Sequence, residues 1–397
     1  MERNEITPSF PWPVAFHNFG RLFSTLFVAW FFAGAVFAGD GSTYVGSINC
    51  SDSSCHGGGG TTRSEFTRWS KFDFHHERPF ATLTTARAAR MAENLKISDP
   101  TADARCTSCH APLQTVPTAL LGHDNKTSEG VSCENCHAPA SNWIRSHTRL
   151  DWTTADRVQA GMRDLKNLYV RANTCVACHQ NVDPDTRRAG HPELIFELDG
   201  QLANQPRHWD KAADKPGPQI WLVGQATALR EISWQLLTAT NLSQELRDQD
   251  LRDCEGLLRV LQPICKLDSH LPPFDAGFLD ANHWSGVQHW SDDLAKAAAN
   301  LAWPDSLSRQ CLNALAAAGA PFADKTISAP VQARYAQRLV LGLDRLVTGL
   351  APLYADAKLN QSVNHLFGDV QSLPDFAAGT FAADLNQFQR DLEKSGN

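Results

Sequence analysis

Apolar positions along this chain fall into three regimes. From Leu22 to Ala38 they are nearly continuous, LFSTLFVAWFFAGAVFA. From residue 39 to about 212 they are scattered among Gly, Pro, Asp, Asn and Ser without a sustained period, the pattern of loop-rich chain with short helices. From about residue 218 a helical period sets in: Leu222, Ala226, Leu229, Ile232, Leu236 and Leu237 recur in steps of three and four, one face of a helix over 219–238. Ser243 with Glu245 behind it predicts the N-cap of a helix running towards Leu261 and ended by Pro263. Val331, Tyr335, Leu339, Leu343, Leu346 and Leu350 form the clearest stripe, with Ser328 before it and Pro330 in its first turn, and Phe381, Leu385, Phe388 and Leu392 form a last one. The expected architecture is mainly α, a loop-rich domain over 39–212 followed by a helical bundle over 213–397.

The continuous run follows a basic residue, Arg21, and closes in Val36-Phe37-Ala38 before Gly39 and Asp40. A basic residue, an apolar core and a small-residue exit read as a secretory signal peptide over residues 1–38. The run also lies near the lower limit of a bilayer span, so an N-terminal anchor with membrane association is the alternative. Either way the remainder is expected to be exported, and periplasmic in a bacterium. No other run is long enough to span a bilayer. The net charge of −7 argues against nucleic acid and is most simply a solvated acidic face.

The loop-rich part carries the chemistry. It contains CTSCH at Cys106, Cys109 and His110, CENCH at Cys133, Cys136 and His137, and CVACH at Cys175, Cys178 and His179. A longer relative, CSDSSCH, supplies Cys50, Cys55 and His56. Cys-x-x-Cys-His is the attachment signature of c-type haem: two thiols add to the porphyrin vinyl groups and the adjacent histidine binds the iron. Two residues between the cysteines let one turn present both sulfurs; the four residues between Cys50 and Cys55 require that turn to bulge. Cys106, Cys109, Cys133 and Cys136 also approach the spacing of a zinc ribbon, and close cysteines in an exported chain often pair. Neither alternative needs a histidine after every second cysteine, and all four copies have one. The expectation is four covalent haem c groups, with the glycines from Gly57 to Gly60 forming a flexible loop or letting backbone approach a porphyrin.

Each proximal histidine fills one axial position, and the opposite ligand sets potential and reactivity. Beyond the leader the chain has only Met91 and Met162 but many histidines, so bis-histidine ligation is the economical expectation. His76 lies in WSKFDFHHERPFATL with His75 as neighbour and rival; His147 follows the third motif, His191 lies in AGHPEL beyond the fourth, His123 falls between the second and third, and His208 precedes Trp209. Cys254, Cys265 and Cys311 lie outside any such motif. A Cys254–Cys311 disulfide and buried free thiols are both open, whereas most of the interval between Cys254 and Cys265 reads as helix and holds those two apart.

The order GS-x-x-C-x4-CHG, W-x6-H-x4-ATL, RCTSCHA, GVSCENCHAPASNW, RANTCVACH and AGHPEL resembles the multihaem cytochromes of the cytochrome c-554 family over about residues 44 to 198. The resemblance implies a periplasmic electron-transfer protein with four closely packed haems, mostly bis-histidine, one of which can lack a strong distal ligand. By motif it implies His76 as a distal ligand reaching a remote haem, with His123 and His147 serving others. The four-residue gap in the first motif and the helices after 218 depart from the simplest members. Expected partners are redox proteins, either other cytochromes or a membrane quinol-oxidising complex onto which the C-terminal helices dock. The competing reading is an oxidoreductase acting on a small nitrogen or sulfur compound at one open haem; CxxCK, the lysine-ligated signature of pentahaem nitrite reductases, is absent.

Overall fold

The structure, a computed structural model, describes residues 41–209, 217–279, 283–350, 353, 355–371 and 373–395. The apolar run 22–38, read above as a signal peptide or anchor, lies outside them. Among the described residues no helix is long and apolar enough to cross a membrane.

The chain is mainly α, and its first half is made of short helices that each start on a local device. Helix α1 (Glu65–Phe72) has an acidic residue in its first turn and buries Trp69, whose indole N–H donates to the Val131 carbonyl at 3.0 Å. Helix α2 (Arg78–Thr82) begins with Pro79, which lacks the donor a first turn cannot use. Thr85 caps α3 (Ala86–Leu95) and Asp103 caps α4 (Ala104–His110). Reciprocal capping boxes, Ser132 with Asn135 and Thr153 with Asp156, start α5 (Cys133–His137) and α6 (Thr154–Gln159). Asn167 caps α7 (Leu168–His179), Asp183 caps α8 (Pro184–Arg188), and α9 (Leu198–Asn204) follows. Helices this short do not persist alone, so caps and tertiary contacts hold them. Of the large apolar side chains left exposed, all but Leu237 lie in this half: Ile48, Phe72, Phe74, Leu120, Leu150 and Val158.

The second half is long helices. Helix α10 (Gly217–Thr238) is the centre of the core; its Trp221, Leu222, Val223, Ala226, Ala228 and Leu229 are all fully buried. It meets α7 and α9 on one side and α11 (Gln244–Ile264), α12 (Trp284–Asn300) and α14 (Ala329–Gly349) elsewhere. That is why its burial wraps round the helix and is not confined to the one stripe expected from periodicity. Leu237, counted in that stripe, is exposed at its end. Ser243 caps α11 as expected, accepting from Leu246 N–H at 3.3 Å, and Pro263 sits in its closing turn. Helix α13 (Asp305–Ala316) packs on α11 and α14. The expected stripe of α14 is buried along its length, and Phe381, Leu385, Phe388 and Leu392 of α16 (Ala378–Ser395) are buried against it and α15 (Ala357–Asp369). Cys254, Cys265 and Cys311 are free and buried, and burial pushes all three thiols up to about 12.

Candidate haem site

The three strict Cys-x-x-Cys-His motifs occupy the ends of α4, α5 and α7, with the histidine as the last helical residue each time. Three- and four-residue steps along a helix share a face, so each turn presents two thiols and one imidazole together. The first motif achieves this differently. Cys50 ends a 3-10 turn, and the extra residues fold on Asp52: Ser54 N–H donates to its carboxylate at 2.7 Å, and Cys55 N–H donates to its carbonyl at 2.9 Å. Gly57 closes that bulge with its α-carbon so near the Ser51 carbonyl that any side chain would collide. The glycine therefore serves the backbone of the motif itself.

The motifs are brought together, and the third, through Cys136, also neighbours Cys175 and Cys178 of the fourth. Cys50 lies within hydrogen-bonding reach of Cys133, and Cys109 within reach of Cys178. The first motif thus neighbours the third, and the second neighbours the fourth. Glu134, inside the third motif and buried, fixes the former pairing by accepting from Val45, Gly46 and Ala140 N–H at 2.9, 2.8 and 2.8 Å. Burial pushes its carboxyl up, and those N–H groups pull it back. All eight motif cysteines are free. Among the described residues no three metal-ligating side chains converge, so the thiols do not form the zinc ribbon considered above.

Three motif histidines face a histidine from elsewhere. His56 and His147 have ring centres 6.1 Å apart, His179 and His75 6.1 Å, and His110 and His191 6.5 Å. An imidazole nitrogen sits about 2 Å from a bound metal and about 1 Å from its own ring centre, so two histidines on opposite sides of one iron hold their ring centres roughly 6 Å apart. The residues present therefore fit haem. Most of these histidines also expose the same nitrogen. Nδ1 is engaged with Glu65 at His56, Pro79 carbonyl at His110, Asp73 at His75, Ile144 carbonyl at His147 and Pro192 carbonyl at His191, which leaves Nε2 as the free donor atom.

His137 is half-buried, with a buried Nδ1 that has no partner, and burial with the nearby His208 and Arg163 pushes it down to about 4. Burial pushes His179 to about 4 as well and lowers His110 and His208. These imidazoles are neutral near pH 7, the form that can donate to a metal. Arg163 fixes the turn above His137 by donating to the Asn135 and Cys136 carbonyls at 2.7 and 2.9 Å.

The remaining candidates stand apart. His76 packs its ring on Trp69, centres 4.3 Å apart, and its Nε2 lies 3.7 Å from Glu77. His123 is fully exposed beside Asp124. Two carboxylates that sequence reasoning passed over, Glu65 and Asp73, contact His56 and His75. Asp73 could have been found from its Asp-x-His spacing, which suits an Asx-type turn; Glu65 has no comparable signal.

Residues 49–138 match the model of the family described as cytochrome c554 and c-prime. This match supports a c-type cytochrome. Such a cytochrome carries covalently bound haem c and works in electron transfer. The matched segment takes in Cys55, His56 and the whole of the second and third motifs, with Cys50 as its second residue. No curated protein and no solved structure matches the chain significantly.

Proposed function

We propose that this chain is an exported, periplasmic electron carrier with four covalent haem c groups, at Cys50/Cys55, Cys106/Cys109, Cys133/Cys136 and Cys175/Cys178. The observation that carries the reading is the set of three histidine pairs at 6.1, 6.1 and 6.5 Å, each joining a motif histidine to one from another segment. Haem supplies a reversible one-electron couple when bound. The chain's own residues do the rest. His56 with His147, His110 with His191 and His179 with His75 would hold the iron between them, which suits electron relay and would leave no place for a substrate. The neighbouring of the first motif with the third and the second with the fourth keeps the electron path short. The exposed Ile48, Phe72, Phe74 and Leu150 supply apolar surface suited to porphyrin edges or to a redox partner, another cytochrome or a quinol-oxidising complex at the membrane.

One observation favours a second reading. His137 is in no ring pair among the described residues, and the neutral His208 and the Arg163 cation are its neighbours. An open haem there, with a cation beside it, suits catalysis on a small nitrogen or sulfur compound. Haem quantitation under denaturing conditions, combined with low-temperature EPR on protein matured in a cytochrome-c-competent periplasm, separates the two. Four haems, all low-spin, are expected for the carrier. One high-spin haem that shifts with nitrite or hydroxylamine supports the enzyme, and fewer than four haems overturns the count.

A further inference from the structure

We propose that Glu65 and Asp73, at the two ends of α1, are positioning residues that hold the haem couples of the first and fourth motifs more negative than the other two. The inference rests on the tetrahaem reading and concerns how the four sites differ.

The difference lies in what accepts the Nδ1 proton. At His56 the acceptor is the Glu65 carboxylate at 3.0 Å, and at His75, which faces His179, it is the Asp73 carboxylate at 2.8 Å. At His147 and His191 it is a backbone carbonyl, at 2.7 and 2.8 Å, at His110 it is a backbone carbonyl at 2.8 Å with the neutral Thr82 hydroxyl beside it at 2.9 Å, and at His137 Nδ1 has no partner. A charged acceptor makes a hydrogen bond roughly twice as strong as a neutral one. It draws the proton outward and leaves Nε2 a richer donor, and a richer donor with a negative charge behind it stabilises ferric over ferrous iron. Each couple exchanges one electron, and the proton remains on Nδ1 in both states.

The two carboxylates are not equal. Asp73 is 4% exposed, braced by His75 N–H at 2.9 Å and by the Gln205 amide at 3.1 Å, so its charge acts through a poorly screened medium. The Glu65 side chain is 37% exposed and is screened by water. Asp73 therefore has the larger effect. Both are placed by one helix. Glu65 lies in its first turn and Asp73 caps its end in extended backbone, so the helix sends one carboxylate to each of two haems. The first motif neighbours the third, the second neighbours the fourth, and the third neighbours the fourth, so each neighbouring pair combines a carboxylate-backed site with one that lacks it. The electron then has a preferred direction within each pair.

The test is an EPR-monitored redox titration of the full chain, matured with haem, carrying Asp73→Asn or Glu65→Gln. Both substitutions keep an oxygen acceptor and remove the charge. The first motif's signal is separable from the other pairs by type. The ring planes of His56 and His147 differ by 12°, whereas those of His75 and His179 differ by 85° and those of His110 and His191 by 69°. Near-parallel ligand planes split the iron d orbitals and give a rhombic signal, whereas strongly twisted planes give a large-gmax one. Asp73→Asn is expected to move one of the two large-gmax couples, and not the other, so that its ferrous to ferric ratio at fixed poise rises about tenfold, about 59 mV for a one-electron couple. Glu65→Gln is expected to move the rhombic couple of the first motif the same way by less, with the others still. Should Asp73→Asn fail to mature, Glu65→Gln at its partly exposed site carries the test. Low-spin haems whose couples ignore the substitutions, or which all move together as under a diffuse charge, overturn the inference alone. A wild-type chain without haem overturns the tetrahaem reading and this inference with it.

Discussion

His75 and His76 are adjacent, yet they do different things. His75 is turned by the Asp73 carboxylate to face His179, while His76 lies on the face of Trp69. Sequence reasoning favoured His76 through its resemblance to a family pattern and kept His75 as a rival; only the turn after α1 separates them, because His75 N–H and Nδ1 both bond the Asp73 carboxylate while His76 N–H bonds the Asp73 carbonyl. The consequence is specific. His75→Ala is expected to convert one haem from low-spin to high-spin, with added imidazole restoring the low-spin signal, whereas His76→Ala leaves every axial pair intact. EPR of the two variants decides between them. The Cys-His motifs themselves were legible because each occupies one local turn, and even the irregular first motif keeps its Cys-His junction. The histidine that faces each of His56, His110 and His179 comes from another segment and leaves no local trace.

At the scale of elements, the long helices α10, α14 and α16 announced themselves through leucine and phenylalanine stripes, and α11 through its Ser243 cap and closing Pro263. Helix α12 did not, because much of its buried face is small, with Ser291, Ala295, Ala298 and Ala299 giving little contrast with solvent-facing positions. Helix α10 was under-read for the opposite reason: buried Gln219, Gln225, Thr227 and Ser233 spread its packing over every side. One glycine shows how tightly this helix is held. A Cβ on Gly224 would come 2.8 Å from Leu198 Cβ and 3.3 Å from its amide nitrogen, atoms fixed to the backbone of α9 that cannot swing aside. Gly224→Ala gains up to about 1 kcal/mol of helix propensity, but overpacking costs about 1–3 kcal/mol. Because the opposing atoms are backbone-bound, the cost wins. A net loss of roughly 1–2 kcal/mol is expected in denaturant unfolding of the mature protein; equal or greater stability would show that α9 yields.

Across the whole molecule, the segment that carries His191 is fastened to the helical half by ion pairs. Arg187 meets Asp250 of α11 at 2.9 Å, Glu193 meets Arg334 of α14 at 2.7 Å, Glu197 meets Arg338 at 3.2 Å, and Asp199 meets Arg345 at 2.6 Å. Arg334 also reaches Asp253 of α11 at 2.8 Å. None of this was visible in the chain, because Arg334, Arg338 and Arg345 of α14 meet Glu193, Glu197 and Asp199 more than a hundred residues upstream. The Arg338–Glu197 pair is the most enclosed. Burial pushes the Glu197 carboxyl above its usual range while Arg338 pulls it back. Replacing one partner of a buried pair leaves the other uncompensated and costs about 3–5 kcal/mol. In Arg338→Met the folded-state carboxyl rises further above its unfolded value. A carboxyl raised in the folded state favours the protonated native form, so its contribution is greatest at low pH and is lost as pH rises through the folded value. Arg338→Met is therefore expected to unfold more easily at neutral pH and to recover part of the loss as the medium is acidified. Adding Glu197→Gln should restore most of the neutral-pH stability and flatten that pH dependence. Because Glu197 follows His191 by six residues, the single variant should also loosen the His110–His191 pair and raise the high-spin fraction of that haem. Thermal unfolding at several pH values together with EPR reads both effects; a single variant as stable as wild type at neutral pH would show that the pair does not fasten the two halves.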